Sequence, residues 1–396
     1  MFFRILLSRS AGAGYACASY CLPVCIFFGS IPVGFFKTLN IYVMKKTVIL
    51  LLGSLYYLNA GAQTDSGTTA LTITGSADVY YRYDFSKTRY NNRTSFTNSH
   101  NTFELGMATV KLEHKTDKLD VVADLGFGKR ATEFSYNDDG ILAGIKQLYI
   151  SYSPASWLKF TAGSWATHVG YELVDAYANR NYSMSYMFTN GPFFHTGFKA
   201  EATKGKSGFM LGIANPTDYK YVPDGVINKK FLLAQYSYTP VDQFKMYLNY
   251  VGGQGVDTSK THQFDVVLTS KISNKFSLGY NGTVNATQMN AGQGKLAGSK
   301  SWWGSALYLN LDASDHFGLT LREEYFSDNN RLKVYGGYLE GGSVFASTLS
   351  ANIKIKSLII IPEVRIDNAN KNIFTRKNGN ASKGAANILV AAVYVF

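Results

Sequence analysis

Beyond residue 62, apolar and polar residues alternate with period two almost everywhere, and helical periodicity is almost absent. Leu71, Ile73, Ala77, Val79, Tyr81, Tyr83 and Phe85 form one face of the first segment. Thr72, Thr74, Ser76, Asp78, Arg82 and Asp84 form the other. Leu119, Val121, Ala123, Leu125 and Phe127 repeat the pattern opposite Asp120 and Asp124, and Ile388, Val390, Ala392, Tyr394 and Phe396 repeat it again near the end. The second segment changes phase: Phe103, Leu105 and Met107 are odd, whereas Ala108, Val110 and Leu112 are even. An extra residue in one strand does this, so a bulge is expected near Met107.

The pattern predicts sixteen strands, at 71–85, 101–114, 118–130, 143–152, 157–165, 193–203, 207–215, 229–239, 243–252, 261–272, 275–287, 300–312, 316–327, 343–356, 358–369 and 384–396. Their connections alternate strictly between long and short. The seven short ones, such as Lys115-Thr116-Asp117, Lys204-Gly205-Lys206 and Lys356-Ser357, are tight turns. The eight long ones centre on 86–100, 131–142, 166–192, 216–228, 253–260, 288–299, 328–342 and 370–383. Sixteen antiparallel strands with both ends on one side need seven turns there and eight loops opposite, so the count closes. A sandwich or propeller has no reason to sort its connections in this way. An outer-membrane barrel does, with short periplasmic turns and long outer loops. In lipid every backbone N–H and C=O must be paired internally, so a spanning sheet closes on itself. The expected fold is all-β: a closed antiparallel transmembrane β-barrel of sixteen strands, with apolar faces toward lipid and polar faces toward the lumen.

Composition agrees. Charged residues make up 17% and aromatics 15%, which excludes a long disordered chain. No apolar run beyond residue 62 approaches the ~20 residues of a spanning helix. Trp157, Trp165, Trp302, Trp303, Tyr149 and Tyr152 fall near predicted strand ends, as interfacial aromatics do.

The first 62 residues carry five basic residues (Arg4, Arg9, Lys37, Lys45, Lys46) and no acidic one. Met44-Lys45-Lys46, an apolar stretch from Thr47 to Leu58, and Ala60-Gly61-Ala62 have the layout of a secretory signal cleaved after Ala62. Residues 1–43 then read as an over-extended start, 44–62 as the signal peptide and 63–396 as a single barrel domain. All three cysteines (Cys17, Cys21, Cys25) lie in the upstream stretch, so the exported part has neither thiol nor disulfide. Its mild positive surplus does not argue for nucleic acid. Only Gln63–Ala70 precedes the first strand, too little for a plug domain. Tyr394-Val395-Phe396 gives the final strand an aromatic terminus of the kind read by the outer-membrane assembly machinery, making Tyr394 and Phe396 candidate assembly signals.

Three stretches resemble the putative β-barrel porin-2 family of Gram-negative outer membranes. They are Gly163–Gly197, with its Gly-Tyr-Glu, Tyr-Ser-x-Ser-Tyr and Pro-Phe-x-His-Thr-Gly elements, then Leu321–Asp328 ("LREEYFSD") and Ile361–Asp367 ("IPEVRID"). The likeness runs in order through nearly the whole exported chain and implies a porin-like channel. One departure is Glu323, on the face shared by Leu319 and Leu321, where a carboxylate toward lipid is costly. It must lie near the rim, or the register must slip there.

Candidate chemistry lies in the longest connection. Segment 166–192 holds Tyr171, Leu173, Val174, Tyr177, Tyr182, Met184, Tyr186, Met187 and Phe188, too apolar for a loop in water. It is expected to fold inward and narrow the lumen, as the equivalent loop does in the general porins it resembles. Glu172, Asp175 and Arg180 are its polar contribution to the pore. Opposite it, Glu363, Arg365 and Asp367 share one strand face, Arg322 and Glu324 another, and Asp78, Arg82 and Asp84 a third. Rings of mixed sign give a transverse field that sorts solutes by charge and dipole, and argue against a strict filter for either sign. Pro362 lacks an N–H, so a strand start or a bulge is expected there.

Catalysis finds no support in motifs. HExxH, CxxC and GxSxG are absent, and nothing selects a serine partner for His195. No metal ligand cluster or cofactor loop is evident. The sequence reading is therefore an outer-membrane channel for passive diffusion of small hydrophilic solutes, in contact with lipid and lipopolysaccharide. A homo-trimer is expected by analogy with general porins. The alternative is a non-conducting barrel whose loops serve as a binding or adhesion surface.

Overall fold

The computed structural model describes residues 70–226 and 228–396. The segment 1–43, the signal peptide at 44–62 and its cleavage after Ala62 lie outside the described residues. The strands run β1 (Thr72–Asp84), β2 (Thr102–Lys115), β3 (Leu119–Phe127), β4 (Ile145–Ala155), β5 (Leu158–Ala166) and β6 (Phe194–Lys204). They continue as β7 (Ser207–Ala214), β8 (Phe231–Val241), β9 (Phe244–Gln254), β10 (Lys260–Lys271), β11 (Phe276–Gln288) and β12 (Lys300–Ser314). Then come β13 (Phe317–Asp328), β14 (Gly342–Ile355), β15 (Leu358–Ala369), the short β16 (Phe374–Thr375) and β17 (Ala381–Ser382), and β18 (Gly384–Val395). Strands β1 to β15 pair antiparallel with their chain neighbours, β15 pairs β18, and β18 returns to β1, closing a sixteen-stranded barrel. β16 and β17 form a separate hairpin in the last long loop, too short for a period-two pattern to reveal.

The two faces follow the alternation. On β1, Ser76, Asp78, Tyr80, Arg82 and Asp84 are buried toward the lumen, while Ala77 and Val79 stand exposed on the outside. Phe198, Leu211, Leu232, Phe264, Leu349 and Ile366, from six other strands, are likewise exposed, forming an apolar exterior that lipid satisfies and water does not. The expected bulge is present: pairing jumps from Ala77↔Ala108 to Val79↔Leu105, leaving Gly106 and Met107 opposite Asp78. Glycine at position 106 leaves room for the Asp78 carboxylate, since a Cβ there would lie 1.7 Å from Asp78 Oδ1 and displace it.

Four expectations need correction. The third strand ends at Phe127 rather than 130, because Gly128 turns the chain at φ 116° into a short helix, α1 (Lys129–Phe134). Pro362 makes neither a strand start nor a bulge. It sits inside β15 with the β14 register unchanged, and its missing N–H leaves a gap in the ladder opposite Ala351 and Asn352. Register does not slip at Glu323 either: it pairs with Leu307 and Ser347 at mid-strand, and the Ser347 hydroxyl donates to its carboxylate at 2.6 Å. The aromatic set divides. Trp157, Tyr152 and Trp303 are exposed, but Trp165 and Trp302 are buried inside the barrel and Tyr149 packs with the Trp165 cluster. Trp302 shares its parity with Gly304 and Ala306, the lumen phase of β12, so being near a strand end did not decide its side.

Candidate functional site: the inward loop and its wall

The connection between β5 and β6, residues 167–193, folds into the barrel. Its backbone has little secondary structure beyond a 3-10 turn at Ala176–Ala178 and a short helix, α2 (Tyr186–Asn190), so its N–H and C=O groups must find other partners. They find them on the wall. Glu363 Oε2 accepts the Tyr182 N–H at 2.9 Å, and Glu324 accepts those of Tyr186 and Met187, each at 2.9 Å. Glu172, within the loop, accepts the Ser185 N–H at 2.8 Å and pairs with Arg322. The carbonyls are served by guanidinium groups: Arg322 donates to Ser183 O at 2.7 Å, Arg365 to Met184 O at 2.7 Å, and Arg130 to Val174 O at 3.1 Å.

Side chains finish the attachment. Tyr186 Oη donates to Asp367 Oδ1 at 3.0 Å, Tyr182 Oη donates to Asp78, and Asn181 donates to Ser350 Oγ at 2.7 Å. Arg365 holds Asp367 through Nε and Nη2 at 2.9–3.1 Å. Asn352 Nδ2 donates to Arg180 O at 2.9 Å. The loop's apolar residues also have cover. Val174, Met184 and Phe188 pack with Phe96 and Phe134 from neighbouring loops and with Phe193 and Phe194 at the loop's end. Tyr171 stacks on Tyr308 with ring centroids 4.1 Å apart.

The structure thus gathers Glu172, Arg322, Glu324, Glu363, Arg365 and Asp367 into one buried belt around residues 181–187, none more than 4% exposed. Three sequence candidates lie apart from it. Asp175 pairs with Lys146 at 2.6 Å on the opposite wall, where Lys146 also holds Asp124. Arg180 pairs with Asp312 at 2.6 Å, facing the short-turn end. Arg82 pairs with Asp84 at 3.2 Å and donates to Ser99 O at 2.7 Å, securing the first long loop. His195 has Thr167 Oγ1 as its hydrogen-bond partner, at 3.0 Å.

Reading the sequence for charge missed the wall at β8–β11, which the start of the loop touches through His168 and Gly170. There β8–β11 present a cross-strand row of neutral polar groups. Gln235 Nε2 donates to Asn249 Oδ1 at 2.8 Å, Gln263 Nε2 to Thr283 Oγ1 at 3.1 Å and Asn285 Nδ2 to Gln263 Oε1 at 3.3 Å. The signal was present as amides and hydroxyls at period two: Gln263 with Asp265, and Asn281 with Thr283 and Asn285. On the long-loop side a cavity of 480 Å³ is lined by Tyr136, Pro192, Phe231, Gln263 and Lys333 among others. On the short-turn side a cavity of 310 Å³ is bounded by Tyr171, Lys245, Lys271 and Asn310.

Comparison with known proteins places this architecture. The chain is similar in fold to the outer-membrane channel DcaP of Acinetobacter baumannii, with a TM-score of 0.55 at 10% identity over 85% of this chain and 99% of that one. The anion-selective porin from Comamonas acidovorans gives a TM-score of 0.55 at 10% identity over 83% and 99%. Outer-membrane-expressed OmpT of Vibrio cholerae gives 0.52 at 11% over 84% and 99%. At such identities the likeness establishes the barrel alone. No curated protein matches the chain. Family membership rests on the sequence itself: residues 70–396, the whole barrel, match the family described as "Putative beta-barrel porin-2, OmpL-like", and the chain belongs to that family of β-barrel porins.

Proposed function

We propose that the protein is a channel of the outer membrane of a Gram-negative bacterium that lets small hydrophilic solutes diffuse passively, with the lumen narrowed by loop 167–193. The observation carrying this reading is the loop itself. It crosses the interior of a closed sixteen-stranded barrel and leaves a cavity on each side. A barrel of this strand number is wide enough for a water-filled channel unless it is filled. Glu172, Arg322, Glu324, Glu363, Arg365 and Asp367, with Arg82, Asp175 and Arg180 around them, form the charged frame of the constriction. They act on passage by fixing where the loop lies. Planar-bilayer recording of the purified protein tests this, with stepwise currents expected. Glu172→Gln and Arg365→Gln should alter conductance or ion preference, and unchanged currents in both would remove these residues from the constriction.

One observation favours a second reading, a non-conducting barrel used as a binding or adhesion surface: the gap beside the loop is as small as one water molecule, with a volume of 10 Å³. The same recording separates the two, because that barrel gives no current steps. The finer points of the proposal are export with cleavage after Ala62, recognition of Tyr394 and Phe396 by the assembly machinery, and a homo-trimer embedded in lipid and lipopolysaccharide. Support for the trimer comes from an in-vitro folded trimer form of Vibrio cholerae OmpT, similar to this chain with a TM-score of 0.52. A mature mass beginning at Gln63, loss of membrane assembly on Phe396→Ala, and a band of three-chain mass in unheated gels are the respective checks.

A further inference from the structure

Besides its anchors on β13–β15, the loop touches β8–β10 through His168 and Gly170, and beside that contact, over β10 and β11, a gap remains. This seam, between the loop and strands β10 and β11, has a volume of 10 Å³. On the loop side the seam is bordered by Val169, Gly170, Met187, Phe188 and Pro192, which offer only apolar surface and backbone. On the wall side stand Gln263, Asp265, Asn281 and Thr283. Asp265 is the one ionisable side chain at the seam. It accepts from Gly170 N at 3.0 Å, Asn249 Nδ2 at 2.7 Å and Asn281 Nδ2 at 2.6 Å. All three donors are neutral, so its charge is oriented but not cancelled.

The wider charge distribution points the same way. Beyond residue 62 the chain is basic, with 34 Lys+Arg (39 less the five in residues 1–62) against 27 Asp+Glu. Yet among the buried side chains of the described residues, eleven are acidic and five are basic. The fully buried positions therefore carry an acidic surplus, and the basic one lies among the half-buried and exposed positions. In a narrow lumen with low-dielectric walls such an imbalance is felt by any ion in transit.

Resting on the channel reading above, we infer that this seam is the selectivity filter and Asp265 its specificity-determining residue: neutral solutes bearing hydroxyl or amide groups and small cations pass, and anions are rejected. The neutral row provides the track. Gln263, Thr283 and Asn285 supply alternating donors and acceptors to hydroxyl groups, and the apolar lip accommodates the carbon face of the same solute. In the mixed-sign frame, read from sequence as opposing any strict filter, Arg322 and Arg365 are paired with Glu172 and Asp367, and the remaining carboxylates Glu324 and Glu363, held by backbone N–H groups, add to the negative sign of Asp265. One unit charge ~6 Å from an ion shifts the local concentrations of cation and anion about threefold in opposite directions, even at the dielectric constant of water. A K⁺/Cl⁻ permeability ratio of about three to ten is therefore expected at low salt, where screening is weak.

The experiment is the reversal potential of the purified protein in a planar bilayer across a KCl gradient, paired with liposome swelling in arabinose and in arabinonate. Expected results are K⁺ preference, faster entry of arabinose than of arabinonate, a ratio falling toward one in Asp265→Asn, and a larger ratio in Gln263→Glu. Chloride preference, or a ratio unmoved by both variants, overturns the inference and leaves the channel intact. Absence of current in the wild type overturns the channel reading and this inference together.

Discussion

Exchange of Glu324 for glutamine tests whether carboxylates hold the inward loop. The two oxygens of Glu324 accept the N–H groups of Tyr186 and Met187, each at 2.9 Å, from a site with no solvent exposure. Glutamine keeps the shape but has a single acceptor, so its amide NH₂ faces one of the two backbone donors. A hydrogen bond to a charged acceptor is worth about 1.5–3 kcal/mol, and an orphaned buried N–H costs about 1–3 kcal/mol. Taking ~3 kcal/mol for the sum, the balance between docked and released loop shifts about a hundredfold. Trypsin reports that balance, because Arg180 offers a cleavage point within the loop and cleavage follows the opened population when reclosing is fast. Glu324→Gln should be cut at Arg180 about a hundred times faster than wild type, with noisier and larger current steps. Glu323→Gln, one residue along and on the outer face, should behave as wild type. Equal cleavage rates in Glu324→Gln and wild type, with both barrels shown folded by heat-modifiable gel mobility, would refute the idea that this carboxylate pins the loop.

Three further outcomes are expected. Phe188→Ala removes bulk from the lip of the 10 Å³ seam and should raise single-channel conductance, and an unchanged conductance would place the route elsewhere. Glu323→Leu removes a half-buried carboxylate from the lipid face and should raise the urea midpoint of unfolding in vesicles by the equivalent of about 1 kcal/mol or more, less the lost Ser347 hydrogen bond; a lower midpoint would count against lipid there. Asp218, in the loop after β7, has its carboxyl pushed up to about 6 by burial, against the pull of the Phe194 and Phe193 N–H groups and the Tyr136 hydroxyl. A raised value means the protonated form favours the fold. Its contribution of about 3 kcal/mol is complete below pH ~4 and is lost as pH rises through ~6. Relative to Asp218→Asn, wild type should lose stability between pH 4 and pH 7, and a flat difference in urea midpoints would contradict the burial argument.

The sequence carried the barrel well, for a physical reason. Lipid outside and polar groups inside impose period two on every strand, and loop lengths record which rim each connection crosses. Even the Met107 phase change appeared as a bulge. The inward loop was legible too, because nine large apolar residues in one connection need cover. What period two could not supply was the partner of each charge. Glu363 and Arg365 are adjacent lumen positions on one strand, but whether they face water or another segment depends on where residues 182–184 lie, more than 170 positions earlier in the chain. Trp302 and Trp303 show the same limit at a strand end, where only parity tells the lumen from the lipid. Asp265 escaped notice because it looked like one acid among amides. Its importance comes from its place at the narrow gap beside the loop, a three-dimensional fact.

The attachment of loop 167–193 also sets an order on biogenesis. Its anchors on β13–β15 are made by the last third of the chain, so while the early hairpins assemble it has only its partners on the first strands and loops, such as Lys146 and Arg130. Closing so long a span costs chain entropy that is recovered only once both sides exist. The strands that complete the wall are thus the ones that complete the constriction, and closure of the barrel and seating of the loop draw on the same late segment.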